Sequence, residues 1–122
     1  MTRSPDEWPE SLDAVAAAPE HHAVLLENER VRVLDTRVEA GDTVPLHQHR
    51  WPGVQYLTGF ADFVRRDADG AVLLDSRASD IGLDAPLVLW SEPLPPHTLE
   101  NVGDRPIHAV VVELKDPGDG GG

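Results

Sequence analysis

Gly41-Asp42-Thr43-Val44-Pro45-Leu46-His47-Gln48-His49 is the stretch on which the reading of this chain turns. Gly41-Asp42 closes a turn, and Thr43–His49 follows as an extended run. Side chains alternate along a strand, so His47 and His49, at i and i+2, point to the same face. A third histidine, His97, opens another extended run 48 residues later. If one barrel brings the two runs together, three imidazoles converge as a facial site for a divalent transition metal. A His-x-His pair alone on a solvated strand means nothing, so the surrounding pattern has to decide.

That pattern is β throughout. Eleven prolines and ten glycines punctuate short β-branched runs, as in a sandwich or barrel. Expected strands are Ala23–Glu27, Arg30–Val38, Thr43–His49, Val54–Thr58, Phe60–Arg66, Ala71–Asp75, Leu87–Trp90, His97–Asn101 and Ile107–Leu114. Val31 and Val33 alternate with Arg30 and Arg32 at period two. Gly59 marks a bulge or bend. Asp67-Ala68-Asp69-Gly70 shares the start of a calcium loop but lacks its later ligands, and Asp-Gly favours a hairpin turn. No internal repeat and no core helix is visible. The chain therefore divides into an arm (1–20), a barrel domain (21–115) and a Gly-rich flexible tail (116–122). In the arm, Ser4 and Pro5 read as a helix start, and Ser11–Ala18 has helical composition until Pro19 stops it.

Composition excludes several classes. The 122 residues contain no Cys, so thiolate metal sites, disulfides and Cys nucleophiles are out. There are 22 acids against 10 Lys+Arg, a net charge of −12, and no basic patch for nucleic acid. No apolar run approaches the roughly 20 residues of a membrane span. No secretory signal is visible after Met1, which makes the cytoplasm the expected location. Neither a Ser-His-Asp arrangement nor a phosphate-cradling Gly loop is present.

Two motifs together resemble the cupin family. Gly41 through His49, with Gly59 ten residues on, looks like the first cupin motif. His97-Thr98-Leu99-Glu100-Asn101-Val102-Gly103-Asp104-Arg105-Pro106 looks like the second. The resemblance spans roughly residues 23–114 and implies a double-stranded β-helix, a jelly-roll barrel, with His47, His49 and His97 as metal ligands. It also implies a homodimer, with Ala23–Glu27 as the strand to exchange. Two departures stand out. Four-ligand cupins carry a Glu three or four residues after the second His, where this chain has Gly53 or Val54. The Pro-x-Gly that precedes the second-motif His is here Pro93-Leu94-Pro95-Pro96, without the Gly. The first departure points to a three-His site, as in thiol dioxygenases and acetylacetone dioxygenase. That implies Fe(II), although imidazoles also take Zn, Ni, Cu or Mn.

Other residues offer further candidates. Gln55 is the nearest neutral donor that could replace the missing Glu, unless Val54 and Tyr56 face inward instead. Glu100 falls on the face opposite His97. His21 and His22 precede the first strand and read as solvated. His108 reads as a hydrogen-bonded barrel or interface residue. Arg65 and Arg66 suit either an anionic substrate or a charged outer face. Tyr56, Phe60, Phe63 and Trp90 suit cavity or core, and Trp51-Pro52 suits the mouth of the site. The leading expectation is a metal-dependent, dioxygenase-like enzyme for a small molecule. The alternatives are a metal-independent isomerase or epimerase with Tyr56 as acid, and a non-catalytic ligand-binding or sensory module.

Overall fold

The computed structural model describes residues 7–78 and 87–115. The Ser4-Pro5 helix start and the 116–122 tail lie outside the described residues. Among the described residues nine strands form two sheets: β1 (His22–Glu27), β2 (Val31–Val38), β3 (Thr43–His49), β4 (Gly53–Gly59), β5 (Phe63–Asp67), β6 (Val72–Asp75), β7 (Leu87–Ser91), β8 (Leu94–Asn101) and β9 (Ile107–Leu114). One sheet runs β1-β2-β9-β4-β7 and the other β3-β8-β5-β6, with every named pairing antiparallel. The two are the halves of a jelly roll. Chain neighbours therefore often lie in different sheets, and each sheet is stitched by long-range pairs such as β2 with β9.

The strands match the expected ones closely, with informative differences. The Phe60–Arg66 run becomes strand only at Phe63, because Gly59 breaks the β4 register and residues 60–62 make the corner. Strand β8 starts three residues before His97, at Leu94, and so takes in Pro95 and Pro96. Prolines cannot donate to a ladder, and here the ladder with β3 is irregular between Val44 and His47 and between His47 and His49. The 67–70 segment is a hairpin turn: Gly70 has φ +91°, and Asp67 Oδ1 accepts from the Asp69 and Ala71 amides.

The barrel interior changes character along its axis. On the inner faces of β2 and β9 the Cα partners run Val38–Ile107, Thr36–Ala109, Leu34–Val111 and Arg32–Glu113. The apolar end joins Val44 and Leu57 in the core. Burying each such aliphatic side chain contributes about 1.5–3 kcal/mol. At the other end the inward residues are ionic. Arg32 and Glu113 are buried while Val31 and Val33 are less so, the phase a simple hydrophobic alternation would reverse.

Asn101 locks the corner after β8. Its amide nitrogen donates to the Val38 and Arg105 carbonyls, and its Oδ1 accepts from Gly103 N–H. A Cβ on Gly103 would lie 2.8 Å from the Ala61 side chain. The Asn and Gly of the second motif are thus structural. The arm packs over the barrel as a 3-10 turn (Glu10–Leu12) and α1 (Ala14–Ala17). Asp13 caps α1 through Val15 N–H, and Gln48 donates to the Pro9 carbonyl from the buried side of β3. Among the described residues no helix is long and apolar enough to cross a membrane.

Candidate metal centre

Four imidazoles meet inside the barrel. His47 and His97 are Cα partners across β3 and β8, with ring centroids 4.3 Å apart. His49 lies 5.0 Å from His47 and 5.8 Å from His97. The fourth is His22, the first residue of β1, 5.0 Å from His47 and 5.5 Å from His49. Nitrogens of His22, His47 and His49 all lie within 4.8 Å of one another. His22 is therefore not solvated: it is 3 % exposed. Its strand register opposite inward-facing Thr36 carries it inside. No ligand-like spacing in the sequence announces it; only pairing between β1 and β2 does. His21, next to it, bonds Asp42 on the outside.

Each ring has one nitrogen already committed. His47 Nδ1 is 2.8 Å from the Pro45 carbonyl, and His97 Nδ1 is 2.7 Å from that of Pro95. The two Pro-x-His segments thus make the same contact in both sheet partners. His22 Nδ1 bonds the Ala18 carbonyl at the end of the arm, 3.0 Å away. His49 Nδ1 bonds Glu113 Oε2 at 3.0 Å. A carbonyl or carboxylate only accepts, so each Nδ1 carries the proton and each Nε2 lone pair is left free. Metal-ligating histidines are oriented by just this arrangement.

Three of the rings, His22, His47 and His97, are also kept uncharged. Burial, reinforced by neighbouring imidazoles, pulls His22 down to about 4 and His47 further. Burial takes His97 to about 3 against the opposing Pro95 hydrogen bond. Neutral imidazole is the form that ligates.

A carboxylate does reach the site, from a strand the motif does not include. Glu113 is 1 % exposed and lies opposite Gly53 in the β4–β9 register. Its other oxygen accepts from Arg32 Nε at 2.6 Å, and Arg32 donates through both terminal nitrogens to Asp13 at 2.9 and 3.0 Å. Burial pushes Glu113 and Asp13 up, but their hydrogen bonds and charged partners outweigh it and hold both carboxyls below the usual range. Two acids and one guanidinium leave one net negative charge beside the imidazoles. Trp51 lines the same cavity and lies under Arg32, 5.0 Å from its guanidinium carbon.

The remaining candidates separate cleanly. Gln55 lines the cavity, whereas Tyr56 is 44 % exposed on the outer face of β4 and lines neither cavity described here, so it is not placed to act as an acid there. Alternation along β4 puts only one of these neighbours inside. Glu100 pairs with Arg66 on the outside. His108 is bonded by Asp35 and Thr58. Phe60, Phe63 and Trp90 line a wider outer cavity of about 450 Å³, next to the inner one of about 90 Å³ at the imidazoles.

Known structures share this architecture. A cupin domain from Bordetella pertussis superimposes with a TM-score of 0.61 at 21 % identity, covering 77 % of this chain and 91 % of that one. The chain has a cupin fold. An RmlC-like cupin family protein with a double-stranded β-helix from Methanocaldococcus jannaschii gives 0.56 at 11 % identity, covering 83 % and 84 %. A Klebsiella pneumoniae protein with a double-stranded β-helix domain gives 0.53 at 18 %, covering 93 % and 83 %. No protein-family model matches the sequence, and no curated protein matches it either. Likeness to these proteins thus rests on the fold, and the site has to be read from the chain's own residues.

Proposed function

We propose that this cupin barrel holds one divalent transition metal through His47, His49 and His97, joined by His22, and oxidises a small organic molecule with it. The observation that carries the reading is the set of four rings, three of them buried and His49 half-buried, whose Nδ1 atoms are all tied to acceptors. All four rings line the inner cavity, and their Nε2 atoms take no part in these bonds. All-nitrogen donors of this kind select the later first-row metals.

Bound there, such an ion supplies Lewis acidity and, as iron(II), one-electron chemistry with O₂. The chain's own residues do the rest. Glu113 holds the proton on His49 Nδ1 and so raises the donor strength of the opposite nitrogen. Leu57, Leu99 and Ile107 line the inner cavity with apolar surface that excludes water from it. Gln55 presents an amide at the junction of the two cavities, fit to orient a polar substrate group. The carboxylate stands behind His49 rather than in the cluster, which supports a ligand set of neutral imidazoles.

A second copy of the chain is part of the same proposal. Among the described residues strand β1 is a sheet edge with no strand beyond it, with Val24, Leu25 and Leu26 all exposed, and such edges are stabilised by pairing or cover. Sedimentation of the protein in Leu25→Lys and unchanged forms tests it: a dimer that the substitution splits supports the pairing, and a monomeric unchanged protein removes it.

The enzymatic reading is tested by oxygen uptake with thiols, β-diketones and catechol-like acids, using protein loaded with iron(II), with zinc, or left metal-free. Uptake confined to the iron form supports it. A ligand that raises Tm with no turnover in any form would make the barrel a binding module instead.

A further inference from the structure

Arg65 stands apart from the other cavity residues. It sits on β5 opposite Leu99 and Leu74, and it lines both the inner cavity and the outer one. Its Nε is buried with no hydrogen-bond partner, and none of the ion pairs among the described residues includes it. Burial draws its pKa down, yet an arginine stays charged. The acids that share its cavities are taken: Glu113 by Arg32 and His49, and Glu92 by Trp90 Nε1 at 2.6 Å.

Its sequence neighbour shows the contrast. Arg66 points outward and pairs with Glu100 at 3.0 Å. Arg50 also has a buried unpartnered Nε, but it borders a cleft under the arm that Glu10 and Asp13 line. Arg65 instead faces a cavity whose outer wall is Phe60, Phe63, Leu89 and Trp90. Its guanidinium carbon is 5.7 Å from the Phe63 ring centroid, so it lies against the aromatic wall. In a chain with 12 more negative than positive charges, a cation at a cavity junction with no acid partner among the described residues calls for a counter-ion from outside.

We infer that Arg65 is the anchor for an anionic substrate group, and that the natural ligand is a small carboxylate with an apolar body. The guanidinium fork matches a carboxylate in geometry. The body would lie among the aromatic residues of the outer cavity, and the part nearest the imidazoles would enter the inner one. This deepens the reading of the cavity as a substrate site and rests on it, but it does not depend on a metal.

The test uses calorimetric titration of the full chain, metal-free and zinc-loaded, with benzoate and phenylacetate against their neutral amides. The unchanged protein binds the carboxylates at least about tenfold more tightly than the amides. Arg65→Met loses that preference, Arg65→Lys keeps part of it, and the metal content of both equals that of the unchanged protein. Without ligand, Arg65→Met has an equal or higher Tm, because it removes an uncompensated charge. Equal binding of acid and amide, or no carboxylate binding up to about 10 mM, overturns the inference. So does a lowered Tm in Arg65→Met, which would mean that an acid of the chain itself already pairs with Arg65. Carboxylate preference with no metal uptake would remove the metal centre and leave this assignment standing; metal uptake with no preference would do the reverse.

Discussion

Glu113 Oε2 lies 3.0 Å from His49 Nδ1, and Glu113 is the Cα partner of Gly53 across β4 and β9. Paired residues of an antiparallel ladder project to the same face. The acid thus enters the barrel beside the position four residues after His49, where the chain itself has only a glycine. Its charge acts on the site through an imidazole. Replacing Glu113 by Gln keeps one acceptor but leaves either His49 or Arg32 facing an amide donor. Metal affinity should fall about 10- to 100-fold, as for other carboxylates behind a metal-bound histidine. The folded state should lose about 3–5 kcal/mol from the broken buried pair. Competition against a chromophoric chelator measures the first and urea unfolding of metal-free protein the second; unchanged affinity would remove Glu113 from the site.

His22 offers a sharper discrimination. If it belongs to the cluster, as its nitrogen within 4.8 Å of those of His47 and His49 indicates, His22→Ala weakens metal binding by at least about tenfold, or 1.4 kcal/mol. A change at His21, bonded outside to Asp42, has no such effect. Equal affinities for the two variants would return His22 to a packing role.

Acid should unfold the metal-free protein well before its carboxylates titrate. His22 and His97 are held neutral in the fold, at about 4 and about 3, and His47 lower still, against 6.5 for the ordinary group. Below 6.5 the unfolded chain takes up protons that the folded chain refuses. Stability therefore falls as pH drops from about 7 toward 4, by roughly 1–2 kcal/mol per ring between pH 7 and 5. Glu113 and Asp13, both held below their ordinary values, extend the loss further down. Urea midpoints across this range should decline steadily; a flat profile from pH 7 to 5 would show that the rings protonate without cost.

Gly53 has a steric reason to be there. A Cβ at this position would lie 2.4 Å from the Val112 carbonyl oxygen. Gly53→Ala must push β4 and β9 apart beside Glu113. Overpacking of this kind costs about 1–3 kcal/mol, which for a domain of this size lowers Tm by roughly 4–8 °C per kcal/mol. Calorimetry reads the shift directly, and an unchanged Tm would mean that the strands accommodate the methyl group freely.

Most of the barrel and the first three histidines were legible in the sequence because they depend on local signals. Period-two runs, turn glycines and two motifs of definite spacing mark the strands and carry His47, His49 and His97. What stayed hidden depends on register between distant strands. Nothing near residue 22 says that β1 will lie against β2 with His22 opposite Thr36. Likewise Arg32 reads as the polar half of an alternation, yet it faces inward because Glu113 and Asp13, 81 and 19 residues away, neutralise it there. A hydrophobic pattern cannot display an ionic interior. The choice between Tyr56 and Gln55 is open in the sequence for the same reason: alternation says that they face opposite sides, and only the β4 pairings put Gln55 inside.

Metal binding by the clustered imidazoles underlies the proposed chemistry. Elemental analysis of untagged protein after incubation with one equivalent of zinc or iron(II), followed by gel filtration, tests it most directly. Close to one ion per chain is expected, with nearly all of it lost in the His47→Ala/His49→Ala double variant while its β-sheet circular dichroism stays intact. A double variant that retained stoichiometric metal, or an unchanged protein that took up none, would contradict it.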